Sequence, residues 1–386
     1  MSKRISQTIK DLPPSGIRRF FDVAATMKDV VSLGTGEPDF PTPWHIREEA
    51  IYSLERRSTA YSANAGLLEL RREIARYMTK YGLSYNPETQ VLVSVGASED
   101  IDVALRAILE PGDEALLVEP CFVAYRPCVV MAGATPVAIA TKAENDFRVS
   151  ATDIAAQLTD KTKVVMLGYP NNPTGAILER QEVAEIAALL RDKDLVVISD
   201  EIYSELTYGE EPHVSIASMP GMADKTIVIN GFSKAFAMTG WRLGFACGPA
   251  DLIAAMLKIH QYILMCAPTV AQYAGIEALK NGAASVEKMR KEYDGRRRFM
   301  LGELHAMGIP CFEAKGAFYL FPDISQFGFS SEEFCDQLLH EARLAVVPGT
   351  AFGAAGEGHV RVCYAYSMDN IREALARLRG FIETLT

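Results

Sequence analysis

The chain has 386 residues, 49% hydrophobic and 23% charged, a composition that excludes a disordered or fibrous protein and allows two or three domains. A formal charge of −10 argues against a nucleic-acid surface, which exchanges counterions for basic side chains. Seven scattered cysteines with no C-x-x-C suit reduced thiols in a cytoplasm, six histidines show no metal-ligand spacing, so no metal is expected, and no apolar run resembles a secretory signal or a membrane span.

In chain order, the first forty or so residues carry irregular Pro and Gly signals. Here "GTGEPDF" begins like a dinucleotide fingerprint, but no third glycine and no helix-opening pattern follow. From about residue 90, short β-branched runs alternate with helical patterns: "QVLVSVG" then "ASEDIDVALRAIL", "EALLVEP" then "CFVAYRPCVVMAG", and "ATPVAIA" then a helix after Ser150. The alternation continues through "TKVVMLGYP", a helix from Glu179 to about Arg191, "LVVISDE", "TIVINGF" and "RLGFACG", and Pro249 opens a further helix. Nearly unbroken apolar runs suit strands covered on both faces, so the spacing predicts an α/β fold with a mostly parallel sheet and flanking helices. After about residue 282 a long charged helix leads into "AFYLFPDI", "RLAVVPG" and "HVRVCYAYS", which reads as a smaller α+β domain. The expected division is a large domain over 45–282 and a small one made of 1–44 with 283–386.

Five segments carry chemistry, and four of them follow predicted strands, where open α/β sheets bind ligands. "VSVGASED" runs a strand into a helix through Gly96, Ala97 and Ser98, whose small residues and helix dipole suit an anion. In "GYPNNPTG", Asn172 precedes Pro173 and must be extended, with a cis bond considered there. In "VVISDEIYSEL", Asp200 ends a buried strand and needs a partner, with Tyr203 three residues on. "GFSKAFAMTGWRLG" sets Lys234 in apolar surroundings near Arg242; a desolvated amine is neutral enough to attack an aldehyde, and the arginine suits a phosphate. "HVRVCYA" flanks Arg361 with valines, expensive to bury unless an anion meets its fork of donors. Each segment taken alone also has a structural reading: a tight strand–helix turn, a plain turn, a helix cap at Asp200, an exposed edge strand at Arg361.

Together they match the functional groups of pyridoxal phosphate, with an aldehyde for Lys234, a phosphate for the Ser98 turn and Arg242, and a ring nitrogen for Asp200. "SKAFAMTGWRLGF", preceded in order by "NNPTG" and "SDEIY", resembles the class I (fold type I) aminotransferases over nearly the whole chain, closest to bacterial and archaeal aspartate/aromatic aminotransferases. The resemblance implies a homodimer with shared active sites. It makes Lys234 the Schiff-base lysine, Asp200 the ring-nitrogen partner, and Tyr203 and Asn172 the groups bonded to the ring oxygen. Phe122 is placed on the ring face, and Gly96, Ala97, Ser98, Ser233 and Arg242 around the phosphate, which Tyr61 of the neighbouring subunit also reaches. Gly36, Asn172 and Arg361 hold the substrate α-carboxylate. The implied reaction is ping-pong exchange between an L-amino acid and a 2-oxo acid such as 2-oxoglutarate, with Lys234 as general acid and base.

Two positions depart from the aspartate-specific pattern. Ser98 stands where some relatives place a lysine that reads the side-chain carboxylate, and Tyr262 where others place an arginine from the partner, which favours an aromatic or small apolar substrate. Arg18 or Arg19 is the remaining candidate reader. The alternatives are an aspartate-preferring enzyme, a C–S β-lyase or a racemase using the same coenzyme. A coenzyme-binding regulator would need a DNA-binding domain, for which the chain before Gly34 is too short.

Overall fold

The computed structural model describes residues 4–14, 27–209 and 211–385. Its strands, in chain order, are β1 (Val31–Ser32), β2 (Val91–Ser94), β3 (Glu114–Glu119), β4 (Thr135–Ala140), β5 (Thr162–Gly168), β6 (Val196–Asp200), β7 (Thr226–Gly231), β8 (Gly244–Cys247), β9 (Tyr319–Leu320), β10 (Leu344–Ala345), β11 (Val347–Pro348) and β12 (Val360–Cys363). Seven of these form one sheet in the order β2-β8-β7-β6-β5-β3-β4.

All neighbours in this sheet are parallel except β8, which runs antiparallel to both β2 and β7. Every residue of β7 and β8 is buried, as the unbroken apolar runs of the sequence require when helices cover both faces. The edge strand β4 is instead largely solvated or half-buried, although its sequence, TPVAIA, is no more polar. The reversal of β8 matters for the site. It brings the start of β8, just after Arg242, to the edge where β2, β3, β5, β6 and β7 end.

Two of the helices begin at capping boxes that the sequence supplies. Ser150 accepts from Asp153 N and forms a capping box with that residue at the start of Ala151–Gln157, and Glu179 with Glu182 does the same for Arg180–Leu190. The stretch after β3 departs from its helical reading: Phe122–Ala124 is a turn, and the helix starts only at Tyr125. Cys121 N is drawn to the Phe352 carbonyl at 2.9 Å, so the chain reaches across before it can coil.

The 24-residue helix Ala283–Ala306, about 36 Å long, leads to the remaining strands. These are shorter than the apolar runs suggest. "RLAVVPG" divides at Val346 because Leu344–Ala345 pairs with β1 while Val347–Pro348 pairs with β12, so one run serves two sheets. β9 pairs antiparallel with the other side of β12, and β1 joins the segment before Trp44 to the C-terminal part. Among the described residues no helix is long and apolar enough to cross a membrane, and no group of three His, Cys, Asp or Glu side chains is placed to hold a metal ion.

Candidate active site

The carboxyl edge of the large sheet and the face of β12 enclose a cavity of about 340 Å³. Its wall includes Gly36, Ala97, Ser98, Phe122, Asn172, Asp200, Tyr203, Ser233, Lys234, Arg242 and Arg361, so eleven residues singled out in seven separate segments meet in one place.

The turn after β2 is shaped for an anion. Gly96 adopts φ 90°, which a side chain resists, and a Cβ there would lie 2.7 Å from Arg242 Nη2. The guanidinium therefore sits directly against the start of helix Ala97–Ile108, where backbone N–H groups and the helix dipole already favour negative charge. Arg242 is held there in a left-handed conformation, φ 53°, with Nη1 donating to the Thr239 carbonyl at 2.9 Å. A non-glycine residue in that region stores strain, which such sites commonly carry. Behind the turn, Glu99 accepts from Val95 N at 2.6 Å and pairs with buried His260, and Ser94 donates to buried Asp100.

Asp200, at the end of β6, is buried, and burial raises its carboxyl above the usual range. Tyr125 opposes this by donating its hydroxyl to Oδ2 at 2.7 Å, and Ile202 N donates to Oδ1 at 3.2 Å. Two donors thus hold a carboxylate at the cavity floor.

Lys234 follows β7 and its Nζ donates to the Gly36 carbonyl at 2.6 Å. Burial, aided by the charges of Arg361 and Arg242 and opposed by Cys363 and Glu37, brings its ammonium down to about 8. At pH 7 such an amine is still mostly protonated, but its free-base fraction, about a tenth, is far larger than that of an ordinary lysine.

Arg361, 3% exposed, lies between the rings of Tyr319 and Phe352, 4.5 and 4.8 Å from their centroids. Nη1 donates to Asn172 Oδ1 at 2.8 Å and Nη2 to the Gly34 carbonyl, while Nε is buried without a partner. A buried donor with no acceptor is costly, and a carboxylate arriving at this fork would satisfy it.

The two asparagines of "NNPTG" divide the work. Asn171 knots the turn, donating to the Gly168 and Pro120 carbonyls and accepting from Thr174, whereas Asn172 faces Arg361. The cis bond considered before Pro173 falls instead at Tyr169–Pro170, with a second at Glu119–Pro120. Tyr61 lies outside the cavity of its own chain, 81% exposed, as does Tyr262 at 85%. Arg18 and Arg19 fall outside the described residues. Sequence reasoning missed Tyr125 and Tyr319. Tyr125 was one aromatic in an apolar, helical-looking stretch, three residues past Phe122, and Tyr319 reaches the cavity only through strand pairing.

A family profile described as "Aminotransferase class I and II" matches residues 28–378. The chain is 46% identical to an aspartate aminotransferase of Pyrococcus abyssi, with 95% of each covered, and 42% identical to aromatic-amino-acid aminotransferase 2 of Thermococcus litoralis, with 98% of each covered. It superposes on the crystal structure of an aromatic aminotransferase from Pyrococcus horikoshii with a TM-score of 0.91, at 44% identity over 95% of this chain and 100% of that one. Profile, relatives and architecture agree over nearly the whole chain, and the chain belongs to the class I and II aminotransferases, enzymes that depend on pyridoxal phosphate.

Proposed function

We propose that this aminotransferase moves the amino group of an L-amino acid with an aromatic or small apolar side chain to a 2-oxo acid such as 2-oxoglutarate, in ping-pong fashion. One observation carries the substrate preference: among the described residues, the cations lining the cavity are Lys234, Arg242 and Arg361, and each already has a task. Ser98, which lines the cavity, stands where some aspartate-specific aminotransferases place a lysine that reads the side-chain carboxylate. The relatives include aspartate and aromatic enzymes at similar identity, so the preference rests on the cavity.

Pyridoxal phosphate fits the residues present. A Cβ on Gly244 would lie 2.6 Å from Ala97 N, so the glycines keep open a cradle bordered by Arg242 and a helix start, as a phosphate requires. Gly96, Ala97, Ser98, Ser233 and Arg242 would hold that phosphate, Phe122 the ring face, Asp200 the ring nitrogen, and Tyr203 with Asn172 the ring oxygen. When bound, the coenzyme supplies an electron-withdrawing ring that spreads the electron pair left on the substrate's Cα.

The chain's own groups do the rest. Arg361 takes the α-carboxylate in its fork, with Asn172 fixing Nη1 and the two rings fixing the plane of the guanidinium. Asp200 stays charged opposite the ring nitrogen, held by Tyr125. Lys234 Nζ, neutral and released toward Gly36, accepts the Cα proton and returns it on the coenzyme side.

The same proposal includes a homodimer. Asn64 donates to the Met265 carbonyl and Thr269 to that of Ala60, so exposed Tyr61 and the exposed run Tyr262–Met265 neighbour one another on a surface suited to a second copy. Tyr61 would then reach the neighbour's phosphate. A large domain over 45–282, a small one of 1–44 with 283–386, and a cytoplasmic location, supported by seven unpaired cysteines, belong to the same reading.

A panel of L-amino acids with 2-oxoglutarate tests it: tyrosine, phenylalanine or alanine should outrun aspartate. Aspartate ahead of all others would overturn the preference, and ammonia with pyruvate from cystathionine, without amino exchange, would make the enzyme a lyase. Arg361→Ala is expected to lower kcat/KM about 10²-fold for every amino acid, mainly through KM, because all share the α-carboxylate. Steady-state kinetics on three dissimilar donors check this, and a loss confined to one would make Arg361 a side-chain reader.

A further inference from the structure

Tyr319 touches more of the site than any role assigned so far explains. In the β9–β12 ladder it stands opposite Cys363, and directly opposed residues share a face. Alternation along β12 puts Arg361 on that same face, so the register alone delivers Tyr319 beside the carboxylate reader. Its ring lies 4.5 Å from the Arg361 guanidinium, and its hydroxyl is 2.7 Å from that of Tyr203. A Cβ on Gly36 would come within 2.2 Å of the Tyr319 oxygen, which seats this hydroxyl beside the residue that receives Lys234.

The proton count is informative. Three buried tyrosines away from the cavity donate to backbone, Tyr208 and Tyr364 to the Ala317 carbonyl and Tyr169 to that of Phe147, while the hydroxyls of buried Tyr85 and Tyr293 have no hydrogen-bond partner among the described residues; Tyr203 and Tyr319 differ from all five in lining the cavity. Tyr203 and Tyr319 are 4% and 1% exposed, and among the described residues each has only the other's hydroxyl as hydrogen-bond partner. Two hydroxyls carry two protons and one is enough to join them. The second is left for an acceptor in the cavity.

Resting on the reading above, in which the coenzyme's ring oxygen takes the Tyr203 proton, we infer that Tyr319 is a positioning residue that donates to the Tyr203 oxygen and braces the Arg361 guanidinium with its ring. A hydroxyl that accepts a hydrogen bond is a stronger donor, so Tyr319 strengthens the bond Tyr203 makes outward. The opposite polarity would aim the free proton from Tyr319 and leave Tyr203 facing inward. The titratable and charged groups around Tyr319 are Tyr203, Arg361, Cys363 and Tyr366. Burial pushes both phenols well up, so each remains a neutral donor across the assay range.

The test uses wild type, Tyr203→Phe, Tyr319→Phe, the double variant and Tyr319→Leu, each loaded with pyridoxal phosphate. Visible absorbance is titrated with pH. Tyr319→Phe is expected to raise the pH midpoint of the band change by about one pH unit and to lower kcat about fivefold, with KM within about twofold because the ring remains. Tyr319→Leu, which also loses the ring, is expected to raise KM about tenfold more. In the Tyr203→Phe background, Tyr319→Phe should add no further midpoint shift. An unmoved midpoint in Tyr319→Phe, or an equal shift in both backgrounds, overturns the inference while the coenzyme reading stands. A wild type that gains no visible band with pyridoxal phosphate overturns both. Should Tyr319→Phe not fold, Tyr203→Phe decides, since an unmoved midpoint there removes the outward bond that Tyr319 is inferred to strengthen.

Discussion

Replacing Lys234 by alanine is expected to lower turnover by at least about 10⁴-fold, because in the proposed reaction one nitrogen serves as covalent anchor and as the base that moves the Cα proton. Loss of either role alone would cost about two to four powers of ten, and no neighbour can substitute: a guanidinium is not a general base, and the Tyr203 phenol is pushed well up by burial. Coenzyme binding should survive in weakened form, since Gly96, Arg242 and Asp200 are untouched. The fold should survive as well. A lysine whose folded pKa lies near 8, below its ordinary 10.5, carries a penalty that is full below about 8 and fades as pH rises toward 10.5. At pH 7, then, alanine removes a buried charge rather than a support, and the thermal midpoint of the apoprotein should not fall. The same value sets a pH signature. Attachment of coenzyme to wild-type apoprotein, trapped with borohydride, should quicken as pH rises and level off above about 8, whereas an ordinary lysine would keep gaining to about 10. Retained turnover in Lys234→Ala, or a trapped label on another residue, would falsify the assignment.

The residues that could be read from the sequence are those whose chemistry is local. Gly96–Ser98, Asp200 and Lys234 each follow an apolar run that can only be a covered strand, and a strand end in an α/β sheet points toward a ligand wherever it lies in the order. Arg361 stood out because two valines flank a charge. What stayed hidden depends on pairing between remote segments. Tyr319 faces the site because it opposes Cys363, and nothing within "GAFYLF" indicates that register. Tyr125 reaches Asp200 because the chain turns at Phe122–Ala124 before coiling, a path set by a bond from Cys121 to distant Phe352. The "NNPTG" pair shows the limit within a single motif: both asparagines look alike in the chain, yet only the fold shows which one closes the turn and which one meets Arg361. The apolar run "RLAVVPG" divides into the short β10 and β11 for a related reason, since it is shared between two partners.

Asp200→Asn should separate activity from stability in opposite directions. A fixed carboxylate opposite the ring nitrogen keeps that nitrogen protonated, and asparagine, similar in shape but uncharged, removes this while keeping the packing, so kcat should fall by about 10²–10³-fold, the loss seen when one preorganised electrostatic partner is taken from a dry site. The apoprotein answers differently. Burial raises the Asp200 pKa, so between the ordinary carboxylate range and the raised value the folded chain binds more protons than the unfolded one, and stability declines as pH rises through that window. Above it the full penalty of an ionised buried carboxylate remains, eased only by Tyr125 and Ile202. Asparagine escapes that penalty, its oxygen accepting from Ile202 N and its amide nitrogen donating to the Tyr125 hydroxyl, which can also accept. Without coenzyme the variant should therefore melt at or above the wild-type temperature at pH 7 to 8, with the difference vanishing in acid where Asp200 is protonated anyway. With coenzyme the order should reverse, because binding stabilises wild type by an amount the variant has lost. Thermal scans of both proteins, with and without pyridoxal phosphate at pH 5 and pH 8, measure all four corners; a variant less stable than wild type in every one would mean that Asp200 supports the fold and is not held in readiness for the ring nitrogen.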